Sequence, residues 1–143
     1  MIIVDTNIVA EMMKPSPDPS VVSWLNDQES AALFLTTVTI GEIGFGLEIL
    51  PQGKRRLHLE QGFERVIAEA FTGRILVFDE EAARYYGVVM GRRRAIGRPL
   101  SIQDGQIASI ARAKGFAVAT RNVRDFVECG VDIINPFDLM QDR

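Results

Sequence analysis

Cysteine and histidine are almost absent: Cys129 and His58 are the only ones in 143 residues. A lone cysteine closes no internal disulfide, which fits a reducing compartment. One of each cannot build a His/Cys zinc site. No serine, cysteine or histidine arrangement offers a nucleophile with its base, and His58 has no candidate partner nearby in sequence, so it reads as a surface residue. Long apolar runs are missing too: nothing approaches the ~18 residues of a membrane span, so no membrane contact is expected. A cationic leader is lacking after Met1, which makes the cytoplasm the expected location. Repeats, low-complexity tracts and linkers are also lacking, and the length suits one domain over residues 1–143.

The chain has little net charge, −3, which as a sum argues against a nucleic-acid binder. Its distribution says more. Between Ala82 and Gln103 there are no acids and five arginines: Arg84, Arg92, Arg93, Arg94 and Arg98. Lys54, Arg55 and Arg56 form a second basic cluster, and Arg121 and Arg124 a third. Each alone suits a solvated helix face; together they could rim an acidic centre.

Apolar runs with strand character stand at Ile2–Val4, Leu33–Leu35, Ile75–Phe78, Ala117–Ala119 and Val131–Ile134. Helical stretches separate them: Thr6–Met13, Ser20–Gln28, Ile40–Leu50, Lys54 to about Phe71, Glu80 to about Ala95, and one from Ser101 to Lys114. Pro15, Pro17 and Pro19 break the first pair, Asp79 caps the fifth, and Gly115 ends the last. Strands joined by helical crossovers, and apolar throughout rather than alternating, predict an α/β/α sandwich around a parallel sheet of about five strands. Gly41, Gly44 and Gly46 interrupt the apolar third helix. No glycine–lysine–serine pattern makes them a phosphate loop, so they predict close helix packing, within the fold or across a dimer.

Four carboxylates carry the chemistry. Asp5 follows the first strand directly; Glu42 stands three residues after Thr39, Asp104 three after Ser101, and Asp125 three after Asn122. Ligands of an open parallel sheet bind beyond the carboxyl ends of its strands, and the topology brings Asp5, Glu42 and Asp125 to that edge. Taken singly, each acid is equally a helix cap or first-turn residue, favoured by the dipole by ~0.3–1 kcal/mol. Taken together, four ionised carboxylates ~6 Å apart repel by roughly 3 kcal/mol per pair at an effective dielectric of 20. If they converge, a divalent cation is needed, and all-oxygen donors favour Mg²⁺ or Mn²⁺. Thr6, Asn7, Thr120 and Asn122 offer hydroxyl and amide groups near the same edge, suited to orienting ligands or a water.

Five segments in this order resemble the PIN-domain ribonucleases, in particular the VapC and FitB-like toxins of bacterial toxin–antitoxin pairs. They are Val4-Asp5-Thr6-Asn7, Thr37-Val38-Thr39-Ile40-Gly41-Glu42, Ser101-Ile102-Gln103-Asp104, Ala119-Thr120-Arg121-Asn122-Val123-Arg124-Asp125-Phe126 and Asn135-Pro136-Phe137. The resemblance runs from residue 1 to about 138. It implies that Asp5, Glu42 and Asp104 are three acids of the site. In some FitB-like members the fourth acid stands where this chain has Asn122; here it comes as Asp125, which leaves ligand, water-positioning and capping roles open. It also implies a homodimer and a small antitoxin laid across the active-site groove.

The expected activity is endonucleolytic hydrolysis of single-stranded or looped RNA by water under Mg²⁺ or Mn²⁺, leaving a 5′-phosphate and a 3′-hydroxyl. Asp5 and Asp104 would be principal ligands, Glu42 would ligate or orient the water, and RNA would approach along Arg92, Arg93, Arg94 and Arg98. The alternative is a weakly active dimeric binding module that pairs with a small DNA-binding antitoxin and tunes its operator binding. A phosphotransfer fold fits less well: no lysine follows a later strand as a receiver domain wants, and Asn7 stands where an aspartyl phosphatase has its second acid.

Overall fold

The five expected strand regions form one sheet in a computed structural model that describes residues 1–138. The rest of the expected domain, 139–143, lies outside the described residues. Strands β1 (Ile2–Val4), β2 (Leu33–Thr36), β3 (Ile75–Leu76), β4 (Ala117–Ala119) and β5 (Ile133–Ile134) are all parallel, in the order β3-β2-β1-β4-β5. The chain builds outward from β1 through β2 to β3, then returns to lay β4 on the other side of β1. That reversal opens a crevice at the carboxyl ends of β1 and β4.

The helices are α1 (Thr6–Met12), α2 (Pro19–Asp27), α3 (Thr37–Glu48), α4 (Lys54–Ala70), α5 (Glu80–Ala95) and α6 (Ile102–Lys114). Successive strand residues point to opposite faces. Val4, Leu35 and Ala119 therefore join Ile8, Val21, Ile43 and Phe63 under α1–α4. Ile3 and Val118 instead join Val89, Ile107 and Ile110 under α5 and α6. Both faces are covered, which is why the strands carry no polar alternation. No helix among the described residues is long and apolar enough to cross a membrane.

Local signals set most boundaries. Asp79 accepts from the Ala82 amide at 2.9 Å, Ser101 from the Asp104 amide at 3.1 Å, and Gly115 closes α6 at φ 72°. The edge strands β3 and β5 are two residues each, shorter than their apolar runs; past Leu76 the backbone turns toward the Asp79 cap and Val77 is exposed.

Two expectations need correction. The cap of α3 is Thr36, whose hydroxyl accepts from the Thr39 amide at 3.2 Å, so the helix starts three residues before Ile40. Glu42 lies in its second turn, too far along to reach back to the cap. The second concerns glycines: a methyl group at Gly41, Gly44 or Gly46 would meet nothing within 4 Å, so no close packing within the fold requires them. The tight helix approach is at Gly105 of α6, where a methyl group would collide with Met90 and press on Tyr86 of α5.

Candidate active site

Asp5 is the fixed point of the crevice. Its backbone amide extends the β1–β4 ladder by donating to Ala119 O at 2.9 Å, and its carboxylate then caps α1 through the Thr6 amide at 2.7 Å. The other carboxylate oxygen accepts from Thr120 Oγ1 at 2.8 Å and Asn7 Nδ2 at 3.2 Å. Asn7 in turn accepts from the Arg121 amide at 3.1 Å, and Thr120 Oγ1 accepts from the Asn122 amide at 3.0 Å. The strand ends of β1 and β4 are thus cross-tied through polar side chains, and Asp5 is 4% exposed.

Glu42 reaches the same place from α3. Thr6 Oγ1 donates to Glu42 Oε1 at 3.2 Å and shares a hydrogen bond with Thr39 Oγ1 at 3.1 Å. The Thr39 hydroxyl, expected to cap a helix, instead props the Thr6–Glu42 pair. Asp104 comes from the first turn of α6, where Ser101 holds its amide. Asp125 ends a short 3₁₀ turn, Val123–Asp125, held by its own amide on Asn122 O at 2.9 Å. Asn122 serves there through its backbone, and its side chain caps nothing.

The acids feel one another. Burial first, and then the charges of Asp104 and Asp125, hold the Asp5 carboxyl above its ordinary range, despite the hydrogen bonds from Thr120 and Thr6 that pull it down. Burial likewise raises Glu42, with the charges of Asp5 and Asp104 adding to it. Asp104 is raised by burial and by Asp125, and lowered by its Ser101 bond and by Arg93. Among the described residues none of the four acids forms a salt bridge. Nor do three of them close to ligating distance around one point. The four therefore share one field in an open arrangement, the form that mutual repulsion favours.

Two grooves flank the acids. One, lined by Thr37, Gly41, Glu42, Phe45, Gln103 and Gln106, runs between α3 and α6. The other, lined by Arg121, Asn122, Arg124, Asp125 and Asn135, lies on the far side of Asp125. Arg121 stacks over the Phe137 ring at 4.6 Å. The expected arginine rim is incomplete. Arg92, Arg94 and Arg98 are exposed, and Arg92 makes a surface pair with Glu128 at 3.1 Å. Arg93 is 3% exposed and spends its guanidinium on backbone carbonyls, so it faces no incoming strand. The signal was in the sequence: Arg93 continues the Ala82–Val89 stripe at helical spacing, on the buried side of α5.

Comparison with known proteins agrees with this fold. The family model described as PIN domain matches residues 2–130. The chain is 40% identical over 138 residues to the VapC ribonuclease Y4jK of Sinorhizobium fredii, covering 96% of this chain and 99% of that protein. It is 34% identical over 137 residues to the toxin FitB of Neisseria gonorrhoeae, with the same coverage, 96% and 99%. A solved structure of FitAB bound to the IR36 DNA fragment superposes with a TM-score of 0.89 at 34% identity, covering 97% of each chain. With the sheet order, the acids at the β1–β4 crevice and relatives matched along nearly their whole length, this chain belongs to the PIN domain family.

Proposed function

We propose that this chain is a metal-dependent endoribonuclease and the toxin of a toxin–antitoxin pair. The observation that carries the reading is the cross-tied crevice: Asp5, held by Thr120, Asn7 and Thr6, feels the charges of Asp104 and Asp125, Glu42 feels those of Asp5 and Asp104, and none of these acids forms a salt bridge among the described residues. The names borne by its relatives, VapC ribonuclease and toxin FitB, support it. The donor chemistry fits Mg²⁺ or Mn²⁺, because every candidate ligand is a carboxylate oxygen and Mg²⁺ is commonly held by one or two carboxylates with waters completing its shell; among the described residues no three of the acids stand around one point. Asp5 and Asp104 would hold it, with Glu42 and Asp125 beside them. A divalent cation bound there supplies Lewis acidity toward the phosphate and a water of lowered pKa.

The protein's own groups do the rest. Thr120 and Asn7 fix the Asp5 carboxylate, so its position costs no reorganisation when substrate arrives. Thr6 occupies Oε1 of Glu42, which leaves Oε2 to orient the attacking water and take its proton. Arg92, Arg94 and Arg98 on one side, with Arg121 and Arg124 on the other, draw the RNA backbone toward an acidic centre that would otherwise repel it. Water as the nucleophile leaves a 5′-phosphate and a 3′-hydroxyl.

The partner is a small antitoxin. The neighbouring FitAB structure carries DNA, which favours a second role in which a dimer of this chain holds a DNA-binding antitoxin on its operator. The decisive experiment incubates purified wild type and Asp5→Asn with mixed small RNAs under Mn²⁺, Mg²⁺ or EDTA. Discrete cleavage that needs metal and vanishes in the variant is expected. A cyclic 2′,3′-phosphate product, or cleavage surviving in EDTA, refutes the mechanism. A folded wild type inert under every metal shifts the assignment to the binding role.

A further inference from the structure

Arg93 has no place in the reading above, yet among the described residues it is the one buried arginine. Its backbone and side chain both grip the connector between α5 and α6. The carbonyl of Arg93 accepts from the Arg98 amide at 2.8 Å, and Gly97, at φ +74°, donates to Arg94 O at 3.0 Å. These are the two bonds of a Schellman helix end. Nε of the same residue then donates to Arg98 O at 2.7 Å. The connector so fixed leads within three residues to Ser101, the cap that holds Asp104.

The other edge of the guanidinium grips the segment after β4. Nη1 donates to Val127 O at 2.8 Å and lies 3.9 Å from Cys129 Sγ; Nη2 donates to Arg124 O at 3.4 Å. That segment contains one short 3₁₀ turn and no strand, so few backbone bonds of its own hold it. Phe126, fully buried, anchors its middle. Asp125 sits between the two carbonyls that Arg93 holds. A planar fork satisfies carbonyls from three chain positions at once, which an ammonium cannot do from one rotamer. No carboxylate pairs with Arg93 among the described residues. Its charge is instead felt at Asp104, whose carboxyl it pulls downward.

We infer that Arg93 is a positioning residue of the acidic site: one buried guanidinium ties the connector into Asp104's helix to the segment carrying Asp125, and so sets how those two acids stand to each other. This rests on the nuclease reading for its catalytic consequence and on geometry alone for the tie.

The test is Arg93→Lys, which keeps the charge and loses the fork, with Arg93→Gln as a second variant should the first not fold. On RNA, kcat should fall about tenfold, as for other residues that orient ligands, while KM moves less than about twofold. Mn²⁺ affinity, measured by calorimetry without RNA, should weaken by about the same tenfold factor. Amide exchange in residues 122–129 should quicken. A raised KM at unchanged kcat would make Arg93 an RNA contact and overturn the inference, as would unchanged kcat and Mn²⁺ affinity. A wild type that cleaves no RNA sinks the nuclease reading alone. Exchange in 122–129 then decides: faster in the variant upholds the tie, unchanged protection overturns it.

Discussion

Asp5→Asn should raise the melting temperature in EDTA while abolishing stabilisation by Mn²⁺. The wild-type carboxylate is 4% exposed and shares its field with Asp104, Asp125 and Glu42. Coulomb's law gives roughly 2 kcal/mol per pair for charges about 8 Å apart at an effective dielectric of 20. Because those partners are partly exposed, screening brings each to about 1 kcal/mol, or roughly 3 for the set. Against that stands a hydrogen-bond loss. The Asn oxygen can keep the Thr6 amide, since Asn caps as well as Asp. The new NH₂ then faces Asn7 Nδ2 and Thr120 Oγ1, a conflict costing about 1–3 kcal/mol. The balance is a gain of roughly 1 kcal/mol. At ~2.1 cal/mol/K per residue, 143 residues give about 3 °C per kcal/mol. Mn²⁺ at a hundred times its dissociation constant adds about 2.7 kcal/mol, so the wild type should gain about 8–9 °C and the variant nothing. Circular-dichroism melts in EDTA and in stepped Mn²⁺ read both quantities. A variant melting more than about 5 °C below wild type in EDTA would show that hydrogen bonding, not charge, dominates at Asp5. An equal Mn²⁺ increment in both proteins would remove Asp5 from the binding set.

The same carboxyls set a pH dependence opposite to that of most acids. Asp5, Asp104 and Glu42 titrate in the folded chain above their ordinary values of 3.8, 3.8 and 4.5. The folded state therefore binds more protons than the unfolded one over that window, and these groups' contribution to stability falls as pH rises through the folded pKa values. The melting temperature in EDTA, taken as wild type minus Asp5→Asn, should accordingly rise as pH falls through the folded carboxyl titration, and the Mn²⁺ increment should grow with pH; a difference that shrinks as the pH is lowered refutes this. Replacing Arg92, Arg94 and Arg98 together by alanine should weaken RNA binding and flatten its salt dependence by about 2 in log–log slope, at ~0.7 per phosphate contact. A salt series that superposes on wild type would take the strand off this side of the molecule. Gly44→Ala should stabilise the chain by about 0.5–1 kcal/mol, since the added methyl meets open space in the interior of α3. A lower melting temperature would mean that this helix face packs closely on a second copy.

How much was legible in the sequence differs by feature. Strand order was not, but the crevice was, because Asp5 and Thr120 each end an apolar run and parallel strands present such ends along one edge. The Ser101 and Asp79 caps were legible because capping is local chemistry within one turn. Thr36 was hidden for a related reason: it is also the last residue of β2, so an apolar strand run and a helix cap compete for one residue, and Thr39 offered the same spacing to Glu42. Asp125 was expected at the strand-end edge with Asp5 and Glu42, and its support differs from the helix start that its spacing to Asn122 suggested. Asn122 precedes a single 3₁₀ turn, and nothing in a short polar stretch distinguishes that from a helix start.

Arg93 shows where local reading runs out. Three consecutive arginines near a helix end suggest one solvated patch, yet a helix turns 100° per residue and cannot present three neighbours to the same side. Arg92 and Arg94 flank the stripe, and Arg93 falls on it, below Val89. Periodicity therefore predicts which arginine is buried; only tertiary structure says what it holds. A buried guanidinium needs several acceptors, and helices and strands have already used theirs. Free carbonyls occur instead where the chain is irregular: at the end of α5 and in the segment around Asp125. One of those irregular stretches carries Asp125, and the other leads into the helix that carries Asp104. The least regular part of the fold is thus held by a side chain whose sequence neighbours point to water.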